Sequence, residues 1–142
     1  MIKSPIEAVS SDIKNKFESI PDWSARTKYL IALGLEFPKA DGSLTTEDNR
    51  IVGCQSQVWM SATSCTDTGD LKILAYSDSV LMRGIISLLL RLYSDRPCEE
   101  ILAHDGDVFS QIGLNTYLAP GRANGLNLMI ERIKDIAREN RR

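Results

Sequence analysis

The chain has 142 residues, 43% hydrophobic and 25% charged; its 17 basic and 19 acidic residues give a formal net charge of −2. That is ordinary globular usage, at a length suited to one compact domain over residues 1–142. The balance leaves no electrostatic footprint for nucleic acid or for an anionic membrane surface.

In chain order, Ser4-Pro5-Ile6-Glu7 has the form of a capping box with proline at the first helical position. Ile6, Val9, Ile13, Phe17 and Ile20 follow at helical spacing, and Pro21 ends the segment. Asp22 can cap a second helix with Ala25, Tyr29, Leu30 and Leu33 on one face, and Gly34 is expected to stop it. Phe37 to Asn49 is polar, carries Pro38 and Gly42, and reads as loop. The period then changes. Arg50-Ile51-Val52 reads as a short strand, and Gln57 to Thr66 alternates, with Val58, Met60 and Ala62 opposite Trp59, Ser61, Thr63 and Cys65. Asp67-Thr68-Gly69-Asp70 is a turn, and Leu71, Ile73 and Ala75 alternate in the next strand.

Ser77-Asp78-Ser79 offers caps for a long helix from about Val80 to Ser94. It is apolar nearly all round, apart from a stripe of Arg83, Ser87, Arg91 and Ser94, so it should be buried against the sheet. Pro97 opens another helix, and a short segment with Val108, Phe109 and Ile112 follows. Pro120-Gly121 breaks the chain before a last helix that carries Leu126, Met129, Ile130, Ile133 and Ile136 on one face. Its basic end, Arg132 to Arg142, complements the helix dipole. The expected fold class is α+β, a small three-stranded antiparallel sheet packed against flanking helices.

The longest apolar segment, Val80 to Tyr93, is interrupted by Arg83, Ser87 and Arg91. It is shorter than the roughly 20 residues of a membrane span. Met1-Ile2-Lys3-Ser4 lacks a basic stretch followed by an apolar one. The expectation is a cytoplasmic protein with no membrane or nucleic-acid partner. Three cysteines, an odd number, argue against a disulfide framework and for free thiols.

Most catalytic constellations are missing from the sequence. It has no phosphate-binding glycine loop, no H-E-x-x-H, no C-x-x-C pair and no G-x-S-x-G, and a single histidine is too few for most zinc sites. No metal site is expected. Cys65, at a strand position, reads as a small packed hydrophobe. Cys98, in a first helical turn, has a chance of a lowered pKa but reads as structural. Cys54 differs. Gly53 lets the backbone turn sharply before it, Gln55, Ser56 and Gln57 supply polar groups after it, and the expected strands on both sides fix where the loop departs and returns. On those residues alone, a functional thiol and an idle turn cysteine remain equally open.

Gly53-Cys54-Gln55-Ser56-Gln57-Val58-Trp59 resembles the G-C-Q-S-x-V-W motif of the SufE family, sulfur acceptors of iron–sulfur cluster assembly. Tyr76-Ser77-Asp78-Ser79 with Arg83-Gly84 is similar to the family's S-D-S/A segment and the start of its long helix. Leu118-Ala119-Pro120-Gly121-Arg122-Ala123-Asn124-Gly125-Leu126 resembles its L-x-P-x-R-x-x-G-L stretch, and the order of elements agrees along nearly the whole chain.

The resemblance implies a SufE/IscU-like fold. It also implies a carrier, not a free-standing enzyme, that takes persulfide sulfur onto Cys54 from a cysteine desulfurase of the SufS or CsdA kind. The carrier stimulates that partner and passes sulfur to a scaffold of the SufBCD kind. The pyridoxal phosphate resides on the partner, so no cofactor is expected here. Gly53, Gln55, Ser56, Asp78 and Arg122 are the expected supporting residues; a homodimer is left open. Arg122 is the expected cation beside the thiol, and Asp78 either caps a helix or serves the docking surface or the environment of Cys54. The loop should pack inward at rest and swing out on docking, with Val58 and Trp59 anchoring its exit. Two other readings stay open: a thiol hydrolase pairing Cys54 with His104, and an iron–sulfur or zinc scaffold ligated by Cys54, Cys65 and Cys98.

Overall fold

A computed structural model describes residues 5–64 and 67–141. The Ser4 half of the expected capping box and the strand position of Cys65 lie outside them. Helix α1, Ile6–Ser19, buries Ile6, Val9, Ile13 and Phe17, the predicted stripe. Pro5 stands just before the helix and not at its first position, its carbonyl accepting from Ala8 and Val9 N–H. Helix α2 spans Trp23–Glu36, and Asp22 caps it by accepting from Ala25 N–H at 2.8 Å.

Gly34 does not stop α2. The helix runs two residues further and ends at Phe37, which is extended (ψ 131°) because it precedes Pro38. Gly34 serves packing instead: a Cβ there would lie 2.0 Å from the Val80 carbonyl oxygen. Val80 opens helix α3, Val80–Tyr93, which Ser79 caps by accepting from Met82 N–H at 3.3 Å. The contact is reciprocal, since a Cβ on Gly84 would lie 2.0 Å from the Leu30 carbonyl oxygen. The two helices cross backbone to backbone.

Strands β1 (Val58–Ser64) and β2 (Asp70–Ser77) pair antiparallel, from Val58 opposite Ser77 to Ser64 opposite Leu71. Val58, Met60, Leu71, Ile73 and Ala75 turn into the core, as their alternation predicts. The third strand is not the expected one. Arg50-Ile51-Val52 makes one bridge, Arg50 to Trp59, before the chain turns away at Val52–Gly53. The sheet's third member is β3, Arg96–Pro97, beside Asp70 and Leu71, in the order β1-β2-β3. Two residues carry no periodicity, and proline suits an edge because it has no N–H to donate.

Three short helices follow: α4 (Cys98–Leu102), α5 (Asp107–Gln111) and α6 (Leu114–Tyr117). Helix α7, Pro120–Asn140, is the longest described. Pro120 sits in its first turn, so Pro120-Gly121 begins the helix and does not break the chain. Its buried face is Leu126, Met129, Ile133 and Ala137, with Ile130 and Ile136 half-buried beside it. The architecture is α+β, with α3 buried between the sheet and the other helices. Among the described residues, no helix is long and apolar enough to cross a membrane.

Candidate functional site

The segment carrying Cys54 is a loop with a pinned neck and a tip that rests on α7. Ile51 N–H donates to the Val58 carbonyl at 2.8 Å, and both residues are buried, so the loop leaves and returns at one point of the core. Gln57 completes the neck: its N–H donates to Asp78 Oδ1 at 3.0 Å, and its carbonyl accepts from Ser77 Oγ at 2.7 Å and from Asp78 N–H at 3.3 Å. Asp78 therefore holds the loop's exit, while Ser79 does the helix capping that Asp78 was a candidate for. Trp59, half-buried on β1, stacks on Tyr76 at 6.5 Å between ring centroids and secures the exit with Val58.

Between those fixed points the chain turns at Gly53, whose φ of +102° favours glycine. The turn lays Gly53, Cys54 and Gln55 on the first turns of α7. The Gly53 carbonyl accepts from Asn124 Nδ2 at 3.1 Å, and a Cβ on Gly53 would come 3.0 Å from Leu128 Cδ1. Cys54 packs on Gly125, where a Cβ would sit 3.3 Å from Sγ and 3.7 Å from Met82 Cε. Gln55 packs on Gly121, where a Cβ would meet Oε1 at 2.7 Å. Ser56 is half-buried on the return, and Val52, at the other shoulder, is 84% exposed. Thus Gly53, Cys54, Gln55 and Ser56 form the loop, Asp78 holds its neck, and Arg122 lies in the helical turn beneath it. The α7 positions Gly121, Asn124, Gly125 and Leu128 share an i, i+3, i+4, i+7 face on which two glycines and an asparagine lead to a leucine. Sequence reasoning had assigned a task only to Arg122.

The resting thiol is half-buried, and that burial pushes its pKa up. The lowered pKa expected from Arg122 is not the state of the resting loop. Arg122 is itself half-buried, and its Nε is enclosed with no hydrogen-bond partner among the described residues. Cys98 is buried at 6% exposure, and burial and then Glu99 raise its pKa, outweighing the backbone hydrogen bond that lowers it. Its helix position does not activate it.

The rival readings separate in space. Cys98 borders a 320 Å³ hollow with Asn140 and Arg141 at the far end of α7, whereas Cys54 sits on Gly125. At 1.5 Å per helical residue the two ends are roughly 22 Å apart, too far for one metal. Among the described residues no cluster of three or more His, Cys, Asp or Glu could hold a metal. The His104 carbonyl accepts from Lys134 Nζ, nine residues along α7 from Gly125 and so about 13 Å away, and its Nδ1 accepts from Gly106 N–H at 3.1 Å. Neither arrangement aims His104 at Cys54.

Comparison with known proteins decides the family. The family model described as "SufE: Fe-S metabolism associated domain" matches residues 11–137. The chain belongs to the SufE family. SufE-like proteins of Rhizobium etli and Rhizobium meliloti are 35% and 36% identical to it, over 89% and 88% of this chain and 87% and 91% of theirs. The sulfur acceptor protein CsdE of Escherichia coli is 27% identical over 85% of this chain and 82% of its own. A solution structure of a hypothetical protein from Thermus thermophilus superposes with a TM-score of 0.74 over 98% of both chains at 18% identity, which shows a shared fold. The end-to-end SufE match agrees with the order of elements around the Cys54 loop.

Proposed function

We propose that this SufE-family chain is a sulfur acceptor and carrier. It takes persulfide sulfur onto Cys54 from a pyridoxal-phosphate-dependent cysteine desulfurase, stimulates that enzyme, and passes the sulfur to an iron–sulfur scaffold in the cytoplasm. One observation carries the reading: of the two thiols described, only Cys54 is on a loop with a fixed neck and a tip resting on another element, so it can shelter and reach outward. Membership of an iron–sulfur metabolism family and likeness to a sulfur acceptor support it.

The chemistry is a displacement at sulfur. The Cys54 thiolate attacks the outer sulfur of the partner's persulfide; a new S–S bond forms on Cys54, the partner's S–S bond breaks, and its thiolate leaves to be reprotonated. No net oxidation occurs. The bond between carbon and sulfur is broken in the partner, and this chain contributes the acceptor. Burial keeps the resting thiol protonated and dull toward other thiols, and docking lifts the tip off α7. Arg122 is then the group available to pair with the thiolate, while Gly53 and Asp78 preserve the turn and the neck. Gln55 and Ser56 supply polar cover.

The test is to incubate the protein with a cysteine desulfurase and free cysteine and map added sulfur by mass spectrometry. One sulfur at Cys54 is expected; sulfur only at Cys65 or Cys98, or none, rejects the acceptor. A second expectation concerns shelter. Because the folded thiol's pKa is raised, its thiolate fraction near neutrality is below that of a free cysteine. Alkylation of Cys54 in the isolated protein should rise with pH to a midpoint above the ~8.5 of an unperturbed thiol. Adding the desulfurase should move that midpoint down. A midpoint at or below ~8.5 in the free protein contradicts the sheltered loop.

A further inference from the structure

We infer that Asn124 is a positioning residue, a latch whose single hydrogen bond to the Gly53 carbonyl sets how often the Cys54 loop leaves α7. The claim rests for its meaning on the acceptor role above, but its physical content does not depend on that role.

The observations are geometric. The neck of the loop is held by the Ile51–Val58 and Gln57–Asp78 hydrogen bonds, and those attach it to the sheet. None of them fixes the tip. The tip meets α7 where Gly53 comes against Leu128, Cys54 against Gly125 and Gln55 against Gly121, and, among the described residues, through one side-chain hydrogen bond, Asn124 Nδ2 to the Gly53 carbonyl at 3.1 Å. Packing against glycine is shallow, because the glycines contribute no side chain to interlock. Gln55 and Gly53 are exposed and Cys54 only half-buried, so little apolar area holds the tip down. A lone directional bond then carries a large share of the tip's stability. Gly53, at φ +102°, is also where the backbone can change direction with least penalty. Latch and hinge thus meet at one residue, next to the thiol.

Asn124 is exposed on α7, and the helix does not need its side chain. Asn127, one turn on and also exposed, forms no hydrogen bond to the loop among the described residues and serves as its control. Gly125→Ala offers a second lever of opposite kind. Alanine favours the helix interior over glycine, yet its Cβ would press Sγ at 3.3 Å, so the thiol must shift by a few tenths of an ångström off its seat. A merely structural role for this face would make stability and thiol exposure move together; the latch makes them part.

The experiment is alkylation of the isolated full-length chain at fixed pH, with the rate at each cysteine read by peptide mass spectrometry. Buried Cys98 is the internal gauge of wider opening. Asn124→Ala and Asn124→Asp, the latter near-isosteric but with no N–H to donate, should alkylate Cys54 about three- to tenfold faster than the parent, the loss of one ordinary hydrogen bond. Cys98 should be unchanged and so should Asn127→Ala. Gly125→Ala should speed Cys54 with no loss of thermal stability. Parental rates in both Asn124 variants, or Cys54 and Cys98 accelerating together, overturn the latch. No desulfurase is used, so a failed latch is distinguishable from a failed acceptor: the first leaves Cys54 persulfidation intact, and the second leaves the alkylation pattern intact.

Discussion

For the proposed acceptor, Cys54→Ser is expected to reduce sulfur acceptance from a cysteine desulfurase to background and to remove stimulation of that enzyme, while the protein stays folded. The attacking group must be a soft anion that forms a bond to sulfur, and a serine hydroxyl is not ionised near neutral pH. The loss is therefore a step to zero and not a reduced rate. Stability should change little, since Cys54 is only half-buried against Gly125 and serine differs from cysteine by one atom. The contrasting variant is Cys98→Ser. It places a hydroxyl at a site only 6% exposed and should cost about 1–3 kcal/mol of stability if the hydroxyl stays unpaired, yet retain acceptance. Persulfide on a Cys54→Ser protein, or loss of acceptance in Cys98→Ser at a temperature where it is folded, would reassign the thiol. Urea denaturation alongside desulfurase turnover separates the two effects.

Gly84→Ala, like its reciprocal Gly34→Ala, is expected to be severely damaging for a single added methyl. Its Cβ would lie 2.0 Å from the Leu30 carbonyl oxygen and 2.8 Å from its carbon, inside any real contact. The obstacle is helix backbone, which cannot turn aside as a side-chain end can, so α2 and α3 must separate. Alanine's gain in helix propensity, about 1 kcal/mol, does not offset that; overpacking costs typically 1–3 kcal/mol and more where backbone must move. A net loss of about 3 kcal/mol is expected, a fall in Tm of roughly 6–12 °C for a chain this size. Separation would also strain Arg83, which bridges the helix pair to the sheet by donating from Nε to the Gly34 carbonyl at 3.2 Å and from a terminal nitrogen to the Ser77 carbonyl at 3.0 Å. Ser77 is one of the residues holding the Cys54 neck, so the damage should reach the site. Gly42→Ala, with nothing within 4 Å of the new Cβ, is the neutral control. A Gly84→Ala protein as stable as the parent would mean the helices do not cross in this way.

Much of this was legible in the chain. The stripes of α1, α3 and α7, the alternation of β1 and β2, and the Asp22 and Ser79 caps are local facts, set by side-chain period and by hydrogen bonds three residues long. The errors cluster where a residue's purpose lies far along the chain. Gly34 looks like a helix stop because glycine often is one, but its reason is a carbonyl at Val80, and Pro38 does the stopping. Arg50-Ile51-Val52 has strand-like residues but gains only one bridge, because a strand exists only where a partner offers a row of hydrogen bonds. Arg96–Pro97 becomes a strand for the converse reason.

The same division runs through the site. Gly53 before it and the polar run after it mark Cys54 as the thiol to consider, and the family motif implies its chemistry. The thiol's state is not written in those residues. That Cys54 rests protonated against Gly125, that Asp78 holds the loop's exit, and that Asn124 reaches the Gly53 carbonyl across 71 residues of chain all follow from how the fold packs. Reactivity depends on burial and on contacts between distant segments, and those come into being only when α7 folds back against the loop.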